Sequence, residues 1–206
     1  MGMNSGMDKT GIFGGTFDPI HTGHLWVAQE AAATLDLEEI WFVPTGEPWL
    51  KEGTNVSPAK ARRAMLELAI GKDSRFKTCS IEIDRPGPSY TVETLQELKQ
   101  EGYQGKPSFI VGMDSLETLH RWHQPARLFD LCNLVVITRP AYLGINPESI
   151  EKIKPGASKD ITFLNGLRIG ISGTEIRKRV FDHKPIIYWV PDEVERYIYE
   201  NNLYGE

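Results

Sequence analysis

The sequence lacks several features that would assign it to a specialised class of protein. It has 2 cysteines in 206 residues, and Cys79 and Cys132 lie too far apart for a closely spaced zinc motif. We therefore expect free, buried thiols rather than a disulfide framework. The sequence contains no apolar run of about 18 residues and no signal-peptide pattern. We expect a cytoplasmic protein that has no membrane partner.

The chain also lacks an excess of positive charge. It carries 23 Lys and Arg residues against 28 Asp and Glu residues, which gives a formal net charge of -5. A broad nucleic-acid-binding surface is therefore not expected, although a local basic pocket is compatible with this balance. Hydrophobic residues make up 40% of the chain and charged residues 25%, as is typical of a globular protein with its own core.

Two familiar nucleotide-binding signatures are missing as well. The sequence has no G-x-x-x-x-G-K-[ST] segment, which disfavours a P-loop ATPase. It has no G-x-G-x-x-G segment, so hydride transfer on a bound dinucleotide is not implied. Internal repeats, low-complexity segments and long linkers are absent too. We expect one domain over residues 8–206, preceded by a disordered lead-in of residues 1–7.

Apolar runs alternate with helical patterns along the chain. The run from Leu134 to Thr138 is apolar throughout, which is typical of a strand buried on both faces of a parallel sheet. Strands are predicted over residues 10–13, 39–43, 76–83, 108–111, 134–138, 161–163 and 167–171. Helices are predicted over residues 24–35, 57–71 with Ser57 as N-cap, 91–100, 116–131 with a break near Gln124-Pro125, 145–154, 172–181 and 192–201. The pattern predicts an α/β fold: a single Rossmann-like, doubly wound, mainly parallel sheet with helices on both faces.

The segment from residue 11 to residue 25, GIFGGTFDPIHTGHL, points most directly to a function. Gly14 and Gly15 let a ligand approach the backbone closely, and Thr16 follows them. His21 and His24 are three residues apart at the start of a helix, so they share one face. An isolated H-x-x-H would more often be a pair of capping or surface histidines. The Gly-Gly-Thr turn before this pair favours an anion site at a helix N-terminus instead.

The segment ISGTEIR, residues 171–177, is a second candidate anion site. Ser172 and Glu175 have the spacing of a capping box, and a helix cap alone would explain both. A cap does not explain Arg177, which lies one turn beyond Thr174. Its guanidinium can share an anion with the helix N-terminus, an arrangement that suits a polyphosphate.

These two segments resemble the signatures of the nucleotidyltransferase superfamily. GTFDPIHTGH resembles its HxGH motif, and ISGTEIR resembles its ISxTxxR-like partner. Further segments resemble bacterial nicotinate-mononucleotide adenylyltransferases in the same order, over about residues 10 to 204. They are PTGEPWLK, AMLELAI, RPGPSYTVETL, FIVGMDSLETLHRW, ITRP and YWVPDEVERYIYENNLY. The resemblance implies a nucleotidyltransferase domain of the HxGH type.

The resemblance also implies a reaction and its substrates. It implies adenylyl transfer from ATP to nicotinate mononucleotide, giving nicotinate adenine dinucleotide (deamido-NAD) and pyrophosphate in NAD biosynthesis. His21, His24 and Arg177 are implied as the catalytic residues, with both histidines near the reacting α-phosphorus. Mg²⁺ is expected as a cofactor that enters with ATP and is held largely by substrate and water. No protein residues are assigned to a metal site.

The other implied site residues fall into two groups. The first group is implied to bind ATP and its phosphates: Gly14, Gly15, Thr16, Lys51, Gly112, Asp114, Arg139, Ser172 and Thr174. The second group is implied to bind the mononucleotide, through backbone N–H groups and ring stacking: Tyr90, Thr91 and Trp122.

Several of these residues have simpler explanations. Trp122 can be plain core, Thr91 can be the N-cap of its helix, and Asp114 can cap the next helix. Two segments also depart from the family pattern. The usual PPHK is replaced here by Pro48-Trp49-Leu50-Lys51, which lacks the loop histidine. The usual ISST is ISGT here, a change expected to cost little because glycine keeps the backbone donors.

Competing functions remain open at this stage. Within the superfamily, the acceptor can be nicotinamide mononucleotide, phosphopantetheine or a cytidylyl substrate. A non-catalytic nucleotide sensor is the alternative from another class, but it would be expected to lose a motif histidine or Arg177. The sequence leaves open whether the chain forms a homo-oligomer.

Overall fold

The computed structural model describes residues 8–48, 56–138, 147–166 and 170–205. Its strands are β1 Thr10–Gly15, β2 Glu39–Pro44, β3 Phe76–Thr78, β4 Ser108–Gly112, β5 Asn133–Thr138 and β6 Ile161–Asn165. They form one six-stranded, all-parallel sheet in the order β3-β2-β1-β4-β5-β6. The order runs outward from β1 in one direction and from β4 in the other, so the predicted doubly wound α/β fold is confirmed.

Nine α-helices lie within the described ranges: α1 Thr22–Leu35, α2 Ala59–Ile70, α3 Ile81–Asp84, α4 Thr91–Gln100, α5 Met113–Glu117, α6 Pro125–Leu131, α7 Pro147–Ile153, α8 Gly173–Phe181 and α9 Asp192–Glu200. The bounds of α4 match the prediction from sequence. None of the helices in these ranges combines the length and the apolar character that a membrane span requires.

The predicted strand over residues 76–83 is wrong in its second half. The strand β3 ends at Thr78, and residues 81–84 form the short helix α3. The N–H groups of Ile83 and Asp84 both donate to the Ser80 carbonyl, which closes a helical turn. Ile81 and Ile83 are spaced by two residues, so they imitate the alternation of a strand, but local hydrogen bonding decides the structure here.

Two predicted helix starts also need correction. Ser57 is not the N-cap of α2, because Pro58 takes that position without a side-chain cap bond. The backbone N–H of Ser57 instead donates to the Asp18 carboxylate, at 3.2 Å. Helix α1 begins at Thr22, two residues before the predicted start. His24 therefore lies in the first turn of α1.

The predicted break near Gln124-Pro125 is confirmed. Residues 113–131 form α5, a short 3-10 turn at Leu119–Arg121, and α6. Gln124 has φ 48°, a left-handed conformation, directly before the proline that opens α6. A residue before proline is disfavoured in the right-handed helical region, which explains why one long pattern gives separate helices. The predicted strand over 167–171 lies mostly outside the described residues, and Ile171 is not in a strand.

The chain divides into two compact units. The first takes its described residues from Met1–Gly14, Ala31–Ile40 and Tyr90–Arg168, and the second from Gly15–Glu30, Trp41–Ser89 and Ile169–Glu206. The interpretation as one domain over residues 8–206 stays a prediction, and the lead-in of residues 1–7 lies outside the described residues. Cys132 is buried as expected, whereas Cys79 is only half-buried.

In the first unit, strands β1 and β4 lie side by side. They pair in parallel with Phe13 opposite Ile110, and β5 pairs with β4 on its other edge. Buried apolar side chains of these strands, such as Ile12 and Val136, form the core of this unit. Gly14 and Gly112 both stand at the carboxyl ends of their strands. This is the edge of a parallel sheet where ligands bind in doubly wound folds.

Candidate active site

The two motif histidines lie at the N-terminus of α1, in the second unit. The His21 carbonyl accepts from the N–H groups of His24 and Leu25, at 2.9 and 3.3 Å, and so starts the helix. The imidazole rings stack with 3.6 Å between their centroids and 17° between their planes. The backbone N–H of His21 also donates to Nδ1 of His24, at 3.3 Å. In neutral His24 the ring proton is therefore on Nε2, which becomes the donor atom of this side chain.

Burial keeps His21 neutral. The residue is 7% exposed, and within the described part of the chain its Nδ1 is buried without a hydrogen-bond partner. Burial is the main cause that lowers the pKa of His21 to about 4. Two stacked imidazolium ions at this distance would also repel each other. At neutral pH the pair therefore presents ring N–H donors, together with the positive end of the α1 dipole.

The low pKa of His21 makes stability depend on pH. Unfolded histidine binds a proton near pH 6.5 and native His21 only near pH 4, so the unfolded state holds more protons between these values. Neutral His21 therefore contributes up to about 3 kcal/mol to the free energy of unfolding. This contribution is fully present above pH 6.5 and is lost as the pH falls towards 4. Urea unfolding of wild type and His21→Gln at pH 7 and at pH 4.5 measures how much unfolding free energy each protein loses between these pH values. Equal losses in both proteins would contradict the prediction.

Arg177 ties the second motif to the segment that carries the histidines. Its Nη1 donates to the Asp18 carbonyl at 2.6 Å, and its Nη2 donates to Oγ1 of Thr174 at 3.3 Å. Asp18 lies three residues before His21 in the same loop. The structure therefore brings the two predicted phosphate segments together within the second unit, as their proposed chemistry requires.

The start of α8 has the predicted cap and an unpredicted close contact. Ser172 is the N-cap, and its hydroxyl accepts from the N–H of Glu175 at 3.2 Å, so the capping interpretation is confirmed. At Gly173, an ideal Cβ would lie 2.7 Å from the Asp18 carbonyl oxygen. A side chain there would force the two backbones apart. Glycine at position 173 therefore keeps the backbone donors of α8 and also allows the close approach to Asp18.

Asp18 is a buried acceptor that connects three parts of the second unit. Its Oδ1 accepts from the hydroxyl of Tyr204 at 2.7 Å, and its Oδ2 accepts from the N–H of Ser57 at 3.2 Å. Oδ2 also lies 3.9 Å from Nη1 of Arg177. A buried carboxylate is stable only when such donors surround it. The loop before His21 is therefore held at several points.

Arg62 holds the backbone of the same loop through hydrogen bonds from its buried side chain. This residue is 1% exposed, and its guanidinium donates to the carbonyls of Thr16, Gly46 and Ser57, at 2.9, 3.1 and 2.9 Å. Burial lowers the pKa of Arg62, and the nearby Asp18 charge counters part of that effect. One side chain thus joins three loop carbonyls, including that of Thr16 in the glycine-rich turn.

We expect Arg62→Met to destabilise the fold by about 2–3 kcal/mol, because three part-buried carbonyls lose the charged donor that the buried Arg62 supplies. The matched control is Arg63→Met. Arg63 is the exposed neighbour that pairs with Glu67, and such a pair contributes about 0.5 kcal/mol or less. Chemical denaturation at pH 7 measures both values. Equal destabilisation by the two substitutions would contradict a special role for Arg62.

The predicted glycine-rich turn lies at the end of β1. An ideal Cβ at Gly15 would meet the Phe17 ring at 2.9 Å, and the Gly15 carbonyl accepts from the N–H of Thr45 at 2.9 Å. In the first unit, a Cβ at Gly14 would lie 3.2 Å from the ring of Phe109. Glycine at both positions therefore lets aromatic rings pack against the turn that precedes the histidines.

The first unit carries the residues that were predicted to bind the mononucleotide. Tyr90 is the N-cap of α4 and Thr91 is its first residue, so the alternative of Thr91 as N-cap is wrong. The Tyr90 ring stacks on His123, with centroids 4.5 Å apart. Trp122 is half-buried with its edge against Phe109, and its Nε1 is buried without a partner among the described residues.

The remaining predicted site residues are placed less informatively. Gly112 is the N-cap of α5, with open space where a Cβ would be. Asp114 is exposed in the first turn of α5 and does not cap it, so the capping alternative is wrong. Lys51 and Arg139 lie outside the described residues, as do Trp49 and Leu50 of the segment that departs from the family pattern.

The sequence reasoning missed Asp18, Arg62 and Tyr204. Asp18 stands inside the HxGH segment, but an aspartate before proline looks like an ordinary turn residue. Arg62 precedes Met65 and Leu66 by three and four residues, so it occupies the buried face of α2. An arginine on an apolar face was the available signal. Tyr204 has no local signal, because its contact spans 186 residues of sequence.

Comparison with known proteins shows which family the chain belongs to. The chain matches the cytidylyltransferase-like family over residues 12–179. A curated relative from Dehalococcoides mccartyi, named "Probable nicotinate-nucleotide adenylyltransferase", is 40% identical over 202 residues, covering 95% of this chain and 97% of the relative. A relative of the same name from Roseiflexus sp. is 41% identical over 194 residues, covering 94% and 96%.

A solved structure shares the fold. Plasmodium falciparum nicotinic acid mononucleotide adenylyltransferase complexed with NaAD has a TM-score of 0.77 and 22% identity, and the match covers 95% of this chain and 96% of that one. At this identity the likeness concerns the fold, whereas the curated relatives are similar enough to establish the family. The chain therefore belongs to the cytidylyltransferase-like family and, within it, to the nicotinate-nucleotide adenylyltransferases.

Proposed function

We propose that this protein transfers the adenylyl group of ATP to nicotinate mononucleotide, forming nicotinate adenine dinucleotide and pyrophosphate in NAD biosynthesis. One observation carries the proposal. The stacked pair His21–His24 follows Asp18 in the chain, and the guanidinium of Arg177 is bonded to the Asp18 carbonyl. The names of the curated relatives support the choice of reaction.

The chemistry needs no general base. The phosphate of the mononucleotide is already ionised at pH 7, and one of its oxygens attacks the α-phosphorus of ATP. The bond from that phosphorus to the bridging oxygen of the β-phosphate breaks, and pyrophosphate leaves with the electron pair. The barrier comes from repulsion between two polyanions and from charge that builds on the phosphoryl oxygens. Catalysis is therefore positioning and electrostatic stabilisation.

The histidines are proposed to act at the α-phosphoryl group as hydrogen-bond donors. Nε2 of His24 carries the ring proton, because Nδ1 accepts from the backbone of His21. His21 is held neutral by burial, so it keeps one ring N–H at pH 7. Donors that are already oriented before the reaction stabilise developing charge without reorganising.

Arg177 and the N-terminus of α8 are proposed to hold the β- and γ-phosphates, with Ser172 and Thr174 beside them. The fork of Arg177 is oriented by the Asp18 carbonyl and by Thr174, and a guanidinium suits the geometry of phosphate oxygens. Lys51 is proposed to reach the same phosphates. Gly14, Gly15 and Thr16 are proposed to let the triphosphate approach the backbone closely.

Magnesium is proposed to enter as part of the substrate, bound to ATP. Within the described ranges, no group of three His, Cys, Asp or Glu side chains is arranged to hold a metal ion. Phosphate oxygens and water satisfy the octahedral preference of Mg²⁺. The ion would neutralise charge on the triphosphate and on the departing pyrophosphate.

The mononucleotide is proposed to bind residues of the first unit. The N–H groups of Tyr90 and Thr91 stand at the N-terminus of α4, where backbone donors favour a carboxylate such as that of nicotinate. Trp122 is proposed to stack on the pyridine ring. Gly112, Asp114 and Arg139 are proposed to contribute to ATP binding instead, with Gly112 and Asp114 at the nucleoside and Asp114 bonding a ribose hydroxyl.

The experiment that tests the proposal offers Mg–ATP with each mononucleotide in turn and follows pyrophosphate and dinucleotide. Turnover with nicotinate mononucleotide that clearly exceeds turnover with nicotinamide mononucleotide is expected, because the helix N-terminus at Tyr90 favours a carboxylate over a neutral amide. Faster turnover with nicotinamide mononucleotide would show that this compound, and not nicotinate mononucleotide, is the acceptor. ATP binding without turnover of any acceptor would identify a sensor and contradict the proposal.

A further inference from the structure

Tyr204 reaches the phosphate site from the turn that follows α9. Val194 and Ile198 are buried and anchor that helix in the second unit. The N–H of Leu203 donates to the Ile198 carbonyl at 2.9 Å, which closes the helix end. Tyr204 follows with φ 64°, a left-handed conformation, and its hydroxyl donates to Oδ1 of Asp18 at 2.7 Å. A residue far along the chain is thus bonded to the loop before the motif histidines.

This bond completes the hydrogen bonding of Asp18. The Asp18 carbonyl accepts from Arg177, Oδ2 accepts from Ser57, and Tyr204 supplies the donor at Oδ1. Burial and the Asp18 charge raise the pKa of Tyr204 well above its usual value, so the hydroxyl keeps its proton.

Loss of that donor would redirect Arg177. Without that hydroxyl the charge of the buried Asp18 carboxylate is less well satisfied, so the carboxylate attracts the nearby guanidinium of Arg177 more strongly. Nη1 of Arg177 lies 3.9 Å from Oδ2 and 2.6 Å from the carbonyl of the same residue. A small rotation would move the guanidinium from the carbonyl to the carboxylate. The fork would then no longer face the triphosphate in the same orientation.

We propose that Tyr204 is a positioning residue of the phosphate site, whose hydroxyl satisfies Asp18 and so keeps the Arg177 fork oriented for a triphosphate. The inference rests on the proposed function, because ATP is the ligand that this orientation serves. Tyr204 touches neither substrate; it acts through Asp18 and Arg177.

The test compares Tyr204→Phe, which removes only the hydroxyl, with Tyr199→Phe, an exposed tyrosine of α9. Tyr204→Phe is expected to lower kcat/KM for ATP by at least about tenfold, and by up to about 100-fold. The KM for the mononucleotide should stay within about twofold, since the change concerns the phosphate residues alone. Tyr199→Phe should resemble wild type. Equal kcat/KM for ATP in wild type and folded Tyr204→Phe would overturn the proposal.

A double-mutant cycle separates positioning from a general structural role. If Tyr204 acts through Arg177, Tyr204→Phe should weaken Mg–ATP binding strongly in wild type but by less than about twofold in Arg177→Lys. The dissociation constants are measured by calorimetry at a temperature where circular dichroism shows all proteins folded. If Tyr204→Phe raises the dissociation constant of Mg–ATP by the same factor in wild type and in Arg177→Lys, the coupling to Arg177 is overturned.

A measurement on the wild-type protein keeps the proposal testable if the variant does not fold. Coupling between sites is reciprocal, so Mg–ATP should slow amide hydrogen exchange in residues 201–205. Unchanged exchange at saturating ATP would overturn the proposal. Absence of ATP binding by wild type would contradict the proposed function itself, so the two failures are distinguishable.

Discussion

Replacing His24 with alanine is expected to lower kcat by roughly 100- to 1000-fold, which corresponds to about 3–4 kcal/mol. The substitution removes the Nε2 donor that we place at the α-phosphoryl oxygens. The KM values should change little, because this donor is strengthened mainly as charge develops. The fold should survive, since His24 is only half-buried. Pyrophosphate release under saturating substrates measures the effect.

Two further substitutions identify which ring nitrogen acts. Glutamine can place its amide N–H near the former Nε2, whereas the shorter asparagine can only replace the acceptor at Nδ1, which receives the N–H of His21. His24→Gln should therefore retain more activity than His24→Asn. The control is His120→Ala, an exposed histidine of the first unit that contacts the Glu117 carbonyl. A kcat for His24→Ala equal to that of wild type would refute the assigned role.

Replacing Arg177 with alanine is expected to lower kcat/KM for ATP by roughly 100- to 1000-fold. The variant loses a charged donor to the triphosphate and also leaves the Asp18 carbonyl without the donor that lies 2.6 Å away. Arg177→Lys should recover only part of the loss, because an ammonium cannot bond Asp18 and hold a phosphate with the same fork geometry. Steady-state kinetics with ATP as the varied substrate measure both variants.

Lys178→Ala is the matched control for Arg177. Lys178 has the same charge one position later in α8 and is exposed. A general electrostatic effect of the helix would weaken ATP use similarly in both variants and would fall with added salt. The specific contact predicts that Lys178→Ala stays within about twofold of wild type. Similar losses in the two variants would contradict the role of Arg177.

The elements predicted well from the sequence are those with one dominant signal. The interior of β5, Leu134–Ile137, is apolar and buried, and the hydroxyl of Ser172 supplies the acceptor that its helix cap requires. Residues 76–83 were misread because isoleucines two apart fit a strand and also a single helical turn; only the hydrogen bonds to Ser80 decide between them. Boundaries of this kind depend on tertiary packing, which periodicity does not describe.

The residues predicted to bind phosphate can be named from short sequence motifs, whereas the residues that hold them in place cannot. Residues that touch a phosphate must be of particular types, so His21, His24 and Arg177 stand out in short motifs. The residues that orient these side chains do so through contacts with residues far away in the sequence. Arg62 bonds three loop carbonyls, and Tyr204 bonds Asp18 across 186 residues of chain. The helical pattern of α2 places Arg62 on a buried face but does not identify its partners, and Tyr204 has no local signal, so only a structure could identify these contacts.

A crystal structure of the protein with Mg²⁺ and a non-hydrolysable ATP analogue tests the central claim most directly. The account predicts that Nε2 of His24 and the guanidinium of Arg177 both lie within about 3 Å of oxygens of one triphosphate. The Arg177 bond to the Asp18 carbonyl should be retained in that complex. An analogue bound with its phosphates away from either side chain would contradict the account.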